Sequence, residues 1–329
     1  MLLIGLAGTV THARRQTPAA RDLLEIRAIL LTRRILIACM RLAAAGIRGD
    51  ARLAAHRSWP YPVWMRSAPT VLLNTECIEL LPTALLRARS NADARLLAQA
   101  TWLLRRKCDG RYLAVAATRG LHALVPRLMH EPGIDAALDR LDALPTRGST
   151  DSATLLPLGA LQQRLARLGL DGEDYARSTR LALQAEPATL HAAGRDRYRR
   201  PLWLSRGAAR AWQSLRRAAA RDGVVLDAIS GYRSHDYQLG IFERKFARGL
   251  TLEQILTVNA APGFSEHHSG DALDLGTPGE PPAEESFEAT PAFAWLCSNA
   301  LAFGYRLSYP RNNPHGIVYE PWHWCWSAG

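Results

Sequence analysis

Residues 262–275 read PGFSEHHSGDALDL. That short span holds Ser265, Glu266, His267, His268, Asp271 and Asp274, more metal-capable side chains than a plain turn needs. The alternation Ala272-Leu273-Asp274-Leu275 is a strand signal. In a strand Ala272 and Asp274 point to one face, and Leu273 and Leu275 to the other. A carboxylate is thereby aimed inward beside a small residue that leaves room, and His267 arrives from the preceding loop. Imidazole plus carboxylate is a common beginning of a zinc site.

Working outward, Glu320-Pro321-Trp322-His323-Trp324 supplies a third ligand in His323. His267, Asp274 and His323 give three protein ligands and leave one position for water, the arrangement of a catalytic rather than a structural zinc. Glu320, three residues before His323 and stiffened by Pro321, is then the expected general base. His268 is expected to face away from the metal. A serine nucleophile fails on pattern: Ser230-Gly231-Tyr232-Arg233 has arginine where a Ser-x-x-Lys site needs lysine, and arginine does not give up its proton.

The pattern Ser-x-His-x-x-Gly-x-Ala-x-Asp followed by Glu-Pro-Trp-His resembles the zinc D-alanyl-D-alanine carboxypeptidases of the VanY type. That group extends to VanX dipeptidases, phage L-alanyl-D-glutamate endolysins and Hedgehog-like domains. Ser230-Gly231-Tyr232-Arg233-Ser234, Gln238, Phe303-Gly304-Tyr305 and Tyr309-Pro310 fit the same resemblance, which runs from about residue 195 to 329. It implies a Zn2+ metallopeptidase that hydrolyses the C-terminal D-Ala of peptidoglycan stem peptides, of DD or LD type. In that reading Glu320 and Arg233 are catalytic, and Arg233 grips a terminal carboxylate with two parallel hydrogen bonds. Gln238, Ser265 and Trp322 are the further substrate contacts, although packing is the plainer reading of Trp322 and Trp324. The alternatives are an endolysin-like endopeptidase and a zinc-holding peptide-binding module without turnover. Two positions depart from the family: Cys325 and Ser308 stand where it usually carries arginine.

The chain has 329 residues, 48% of them hydrophobic, enough for two domains with a sizeable core. Lys+Arg number 41 against 30 Asp+Glu, a balance that suits an anionic partner such as the cell envelope. No nucleic-acid-binding motif accompanies the charge, so no nucleic-acid partner is expected. The five cysteines lack regular spacing and form no CxxC pair, which argues for buried thiols over a disulfide framework. No apolar run reaches 18 residues, so no transmembrane segment is expected. The substrate places the protein in the envelope or periplasm, yet no convincing signal peptide precedes it, which leaves the cytoplasm open and raises a mis-assigned start codon. A monomer is expected.

Four regions follow from composition and patterning. Residues 1–66 are Arg-rich and poorly patterned. Residues 67–150 read as helical, with apolar spacing over 84–104, 121–129 and 134–144 and a polar, turn-rich linker at 145–152; His122 and His130 are packing or surface residues. Residues 151–195 read as a helical linker or brace. Residues 196–329 are the zinc carboxypeptidase domain, with strands at 202–204 and 224–229, helices after Ser205 and from His235, and closing strands at 305–309 and 316–319. The fold class is α+β: a small, mostly antiparallel sheet with flanking helices, of the Hedgehog/DD-peptidase kind, preceded by a mostly helical N-terminal region.

Overall fold

The computed structural model describes residues 69–117, 120–143 and 154–328. Expectations for residues 1–66, for the linker at 145–152 and for Cys39 lie outside the described residues. Two antiparallel sheets organise the rest. The larger runs β5-β4-β3-β2-β1-β6-β7 and comprises β1 (Val71–Asn74), β2 (Ile78–Pro82), β3 (Ala100–Arg106), β4 (Tyr112–Ala117), β5 (Gly120–Ala123), β6 (Thr189–Arg195) and β7 (Pro201–Leu204). The smaller runs β10-β11-β9-β8, from β8 (Asp227–Ser230), β9 (Ala272–Gly276), β10 (Tyr305–Leu307) and β11 (His323–Trp326).

The helices are α1 (Asn91–Gln99), α2 (Ile134–Asp142), α3 (Leu161–Ala166), α4 (Gly172–Thr179), α5 (Arg206–Arg221), α6 (His235–Phe246), α7 (Leu252–Leu256) and α8 (Pro291–Asn299). Their limits follow local chemistry. Ser205 caps α5 by accepting from the Ala208 amide, and Ser234 caps α6 from the Tyr237 amide. Thr290 caps α8, which opens on Pro291, a residue whose fixed φ and missing N–H suit a first turn. Helix α5 lays Trp212 and Leu215 on the small sheet, against Leu273 and Leu275 of β9, with Leu296 of α8 and Tyr305 of β10 closing the core.

The described part of residues 67–150 is mostly sheet, not helix. Leu104, Leu113 and Ile78 pack with Ile134 and Leu138 of α2 on one face, while Leu81, Leu103 and Val115 meet Leu190 and Trp203 on the other. With both faces covered, the strands read as continuous apolar runs without alternation. Leu- and Ala-rich strands of that kind also satisfy three- and four-residue spacing, which explains the helical reading of 84–104. The α-helix there is confined to 91–99, started by a Ser90/Asp93 capping box and ended where Ala100 turns extended. Of the other two segments, 134–142 is helical as expected, whereas 121–129 divides into β5 and a 3-10 turn. Residues 151–195 hold α3 and α4 and then enter the large sheet as β6.

Residues 316–319 form no strand. The place beside β10 is taken by β11, and the 316–320 segment makes single contacts instead: the Val318 amide to the Thr257 carbonyl at 2.8 Å and the Glu320 amide to the Tyr309 carbonyl at 3.0 Å. Among the described residues no helix is long and apolar enough to cross a membrane. Cys77, Cys108, Cys297 and Cys325 are all free thiols.

Candidate metal centre

Strands β9 and β11 pair so that Asp274 stands directly opposite His323. The alternation of β9 holds: Leu273 and Leu275 enter the core, and Asp274 faces the cluster. His267 comes from the 3-10 turn Glu266–Ser269, which ends at Gly270 in the left-handed region at φ +77°. A Cβ at Gly270 would lie 2.5 Å from Leu190 Cδ2 and 2.9 Å from the Ser205 amide nitrogen, so both backbone conformation and space require glycine. The Ser205 amide donates to the Gly270 carbonyl at 2.8 Å, tying the turn to the start of α5.

One ligand atom each from His267, Asp274 and His323 lies within 4.8 Å of the others, and all three residues are buried. Asp274 Oδ1 is 3.3 Å from His267 Nε2 and 3.2 Å from His323 Nδ1. Ligands about 2.0–2.2 Å from a tetrahedral ion are roughly 3.3 Å apart, so the spacing suits zinc. The remaining ring nitrogens set the tautomers. His267 Nδ1–H donates to the Gly231 carbonyl at 2.8 Å, and His323 Nε2–H to Glu266 Oε2 at 2.9 Å. Each ring therefore offers its other nitrogen to the cluster. The donor set of two imidazoles and a carboxylate fits Zn2+.

The electrostatics show charges packed around a small volume. Burial would lower the His323 imidazole, but its hydrogen bonds to Asp274 and Glu266 prevail and carry it up to about 10. Burial alone would raise Asp274; His267 and His323 hold it far below the usual carboxylate range. Burial lowers His267. Glu320 lies beside the cluster, with Oε2 3.8 Å from His323 Nδ1. Burial pushes its carboxyl up to about 7; the His323 charge opposes this and Asp274 adds to it. Such a group can both take and return a proton near neutrality.

Arg233 follows β8 and extends along the cluster. One guanidinium nitrogen is 3.4 Å from Asp274 Oδ2, and another donates to Gln238 Oε1 at 3.1 Å. Gln238, expected as a substrate contact, is buried with both amide ends taken, since its Nε2 donates to the Ala260 carbonyl at 2.7 Å. Its observed place is behind Arg233. Ser265 is buried at the head of the metal turn and caps nothing with its side chain. Trp322 packs partly buried against the main core, and Trp324 donates from its indole to the Pro321 carbonyl at 3.0 Å. His268 faces away from the cluster: its Nδ1–H donates to the Arg233 carbonyl at 2.6 Å, and its Nε2 accepts from the Gly263 amide at 3.1 Å.

The reading from sequence named Glu266 among the metal-capable side chains but gave it no role. Its carboxylate is held down to about 2, because the hydrogen bond and charge of His323 outweigh the burial that would raise it. Ser308 and Cys325 both lie beside it. The two departures from the family's arginines thus converge on one partly buried carboxylate, whose positive neighbour here is His323. The Cys325 thiol is buried and raised, first by burial and then by Glu266. Its place in that span, next to His267, was the sequence signal for it.

Residues 201–329 match the family model described as VanY, D-alanyl-D-alanine carboxypeptidase. A D-alanyl-D-alanine carboxypeptidase of Enterococcus faecium is 32% identical over 37% of this chain and 37% of its own length. One of Enterococcus faecalis is 34% identical over 34% of this chain and 44% of its own. The chain therefore spans less than half the length of these relatives. Among solved structures, the LdcB LD-carboxypeptidase is 32% identical with a TM-score of 0.36, over 38% of this chain and 59% of its own. A VanY D,D-pentapeptidase mutant in complex with Zn(II), from a VanB-type resistance cassette, is 29% identical with a TM-score of 0.33, over 39% of this chain and 74% of its own. With the motif residues gathered at one buried cluster and the family model spanning them, residues 201–329 are a domain of the VanY family.

Proposed function

We propose that the protein is a zinc-dependent carboxypeptidase that removes the C-terminal D-alanine of peptidoglycan stem peptides. The observation that carries the reading is the convergence of His267, Asp274 and His323 with Glu320 and Arg233 beside them. The three ligands would hold Zn2+, which supplies polarisation of the scissile carbonyl and a lowered pKa for water. Glu320, beside the cluster with Oε2 3.8 Å from His323 Nδ1, takes the proton of the attacking water. It returns that proton to the leaving amine as the C–N bond breaks, and D-alanine departs. Arg233 grips the terminal carboxylate by the bidentate contact that guanidinium geometry favours, and Gln238 holds Arg233 in place from behind. The relatives named for D-alanyl-D-alanine carboxypeptidase activity support the DD form, and the LdcB neighbour keeps the LD form in view. The substrate places the site of action in the cell envelope.

The test is incubation of the zinc-loaded protein with stem pentapeptide and tetrapeptide, with and without a chelator, and quantification of D-alanine by mass spectrometry. Chelator-sensitive release is expected, and the preferred peptide assigns DD or LD specificity. No release from either peptide by zinc-loaded protein would refute the carboxypeptidase. Cleavage within intact peptidoglycan would then identify an endopeptidase, and binding without cleavage a peptide-holding module.

A further inference from the structure

The loop that carries Arg233 is held from outside the family domain. Glu186 lies between α4 and β6, is buried, and brackets Arg233 on both sides. The Tyr232 hydroxyl donates to Glu186 Oε2, and the His235 amide donates to Oε1 at 2.9 Å. Lys107, which follows β3 and is equally buried, donates from Nζ to the same Oε2 at 2.6 Å. Asn74, the last residue of β1, donates to Glu186 at 3.2 Å and to the Tyr232 hydroxyl at 2.8 Å. His235 Nε2–H reaches the Gln184 carbonyl at 2.8 Å. The backbone of Arg233 is itself pinned, its amide donating to the His267 carbonyl at 3.1 Å and its carbonyl accepting from His268. Every outside partner in this network, Asn74, Lys107, Gln184 and Glu186, precedes residue 201, where the family match begins.

A buried ion pair contributes little net stability compared with well-packed apolar residues, but it penalises any arrangement that separates the charges. Here, separating them would free the segment that aims Arg233. We propose that Lys107 and Glu186 are positioning residues for the reaction, forming a buried clamp that fixes the 232–235 segment so that Arg233 faces the metal cluster and the substrate carboxylate. The region preceding the VanY domain is thereby part of the catalytic apparatus. The inference rests on the proposed role of Arg233.

The test uses the full-length, zinc-loaded protein with Glu186→Gln and Lys107→Met, each alone and in an Arg233→Ala background. Steady-state kinetics, zinc content and hydrogen exchange of the 231–236 amides are read together. Glu186→Gln is expected to raise KM at least about tenfold with kcat within about threefold, because a displaced gripping group weakens binding of the carboxylate. Zinc content should stay unchanged. The Arg233 and His235 amides should exchange at least about tenfold faster while those of α5 keep their protection. In the Arg233→Ala background the same change should cost less than about twofold, as expected for two residues acting through one contact. Losses that add in that background, or an unchanged KM with unchanged exchange, would overturn the clamp. If Glu186→Gln fails to fold, Lys107→Arg carries the same readouts, since it keeps the charge while replacing a compact ammonium with a planar fork. Should the wild-type protein release no D-alanine, the proposed function fails, and the exchange measurement alone decides the clamp.

Discussion

Zinc uptake should be coupled to loss of a proton from His323. In the metal-free protein this imidazole donates to Glu266 at one nitrogen and lies 3.2 Å from Asp274 at the other, which carries it up to about 10. A metal can bind Nδ1 only after its proton leaves. Glu320 also titrates near neutrality, so the clean perturbation is pH in a Glu320→Gln background. At pH 6.5 a group of pKa about 10 is protonated in all but roughly one molecule in three thousand. Displacing that proton costs about 5 kcal/mol relative to a deprotonated ring, at about 1.4 kcal/mol per pH unit. An ordinary histidine of pKa about 6.5 would cost about 0.4 kcal/mol and release half a proton. Burial lowers His267 below the ordinary imidazole, and Asp274 is held ionised by His267 and His323. The assay is titration calorimetry of zinc in buffers of different ionisation enthalpy, together with chelator competition between pH 6 and 7. One proton released per zinc and a tenfold gain in affinity per pH unit are expected. Release of half a proton or less, with affinity levelling off by pH 7, would refute the picture of His323 as a charged bridge between two carboxylates.

Three further outcomes are expected. Glu320→Gln should lower kcat by about 10²–10⁴-fold while zinc content, read by elemental analysis, stays at the wild-type value. Gly270→Ala should lower the unfolding midpoint and weaken zinc retention in chelator competition, because φ +77° and the 2.9 Å approach to the Ser205 amide leave no room for a methyl group. In the metal-free protein the pairing of His323 raises its folded-state pKa above the unfolded value. Its contribution to stability is therefore full below about pH 6.5 and lost as pH rises toward about 10; denaturant melts of apo protein across that window should show the decline, and zinc should abolish it.

The part that holds the cluster was legible because its information is local. His267 and Asp274 fall within one loop and one strand whose alternation states which face each residue takes, and Ser205, Ser234 and Thr290 mark helix starts by their own capping chemistry. The preceding half was not legible, because β2 and β3 are covered on both faces and lose the period that distinguishes a strand from a helix. The strand that carries His323 was missed, and one was expected at 316–319 instead, for a related reason. Residues 316–319 are as apolar as a strand, but the partner of β10 is decided by the two-sided pairing of β11, which no local pattern reports. Glu186 and Lys107 were invisible for the strongest reason: their significance lies wholly in a contact between segments 79 positions apart.

The pairing of β9 with β11 also sets an order of events during synthesis. Asp274 emerges from the ribosome well before His323, and the intervening residues include α8 and β10. Until β11 arrives, the inner edge of β9 is unpaired and only two of the three cluster residues exist, so the nascent chain can neither close its small sheet nor assemble the cluster. The cluster is then completed in one step, when β11 pairs with β9 on one side and with β10 on the other.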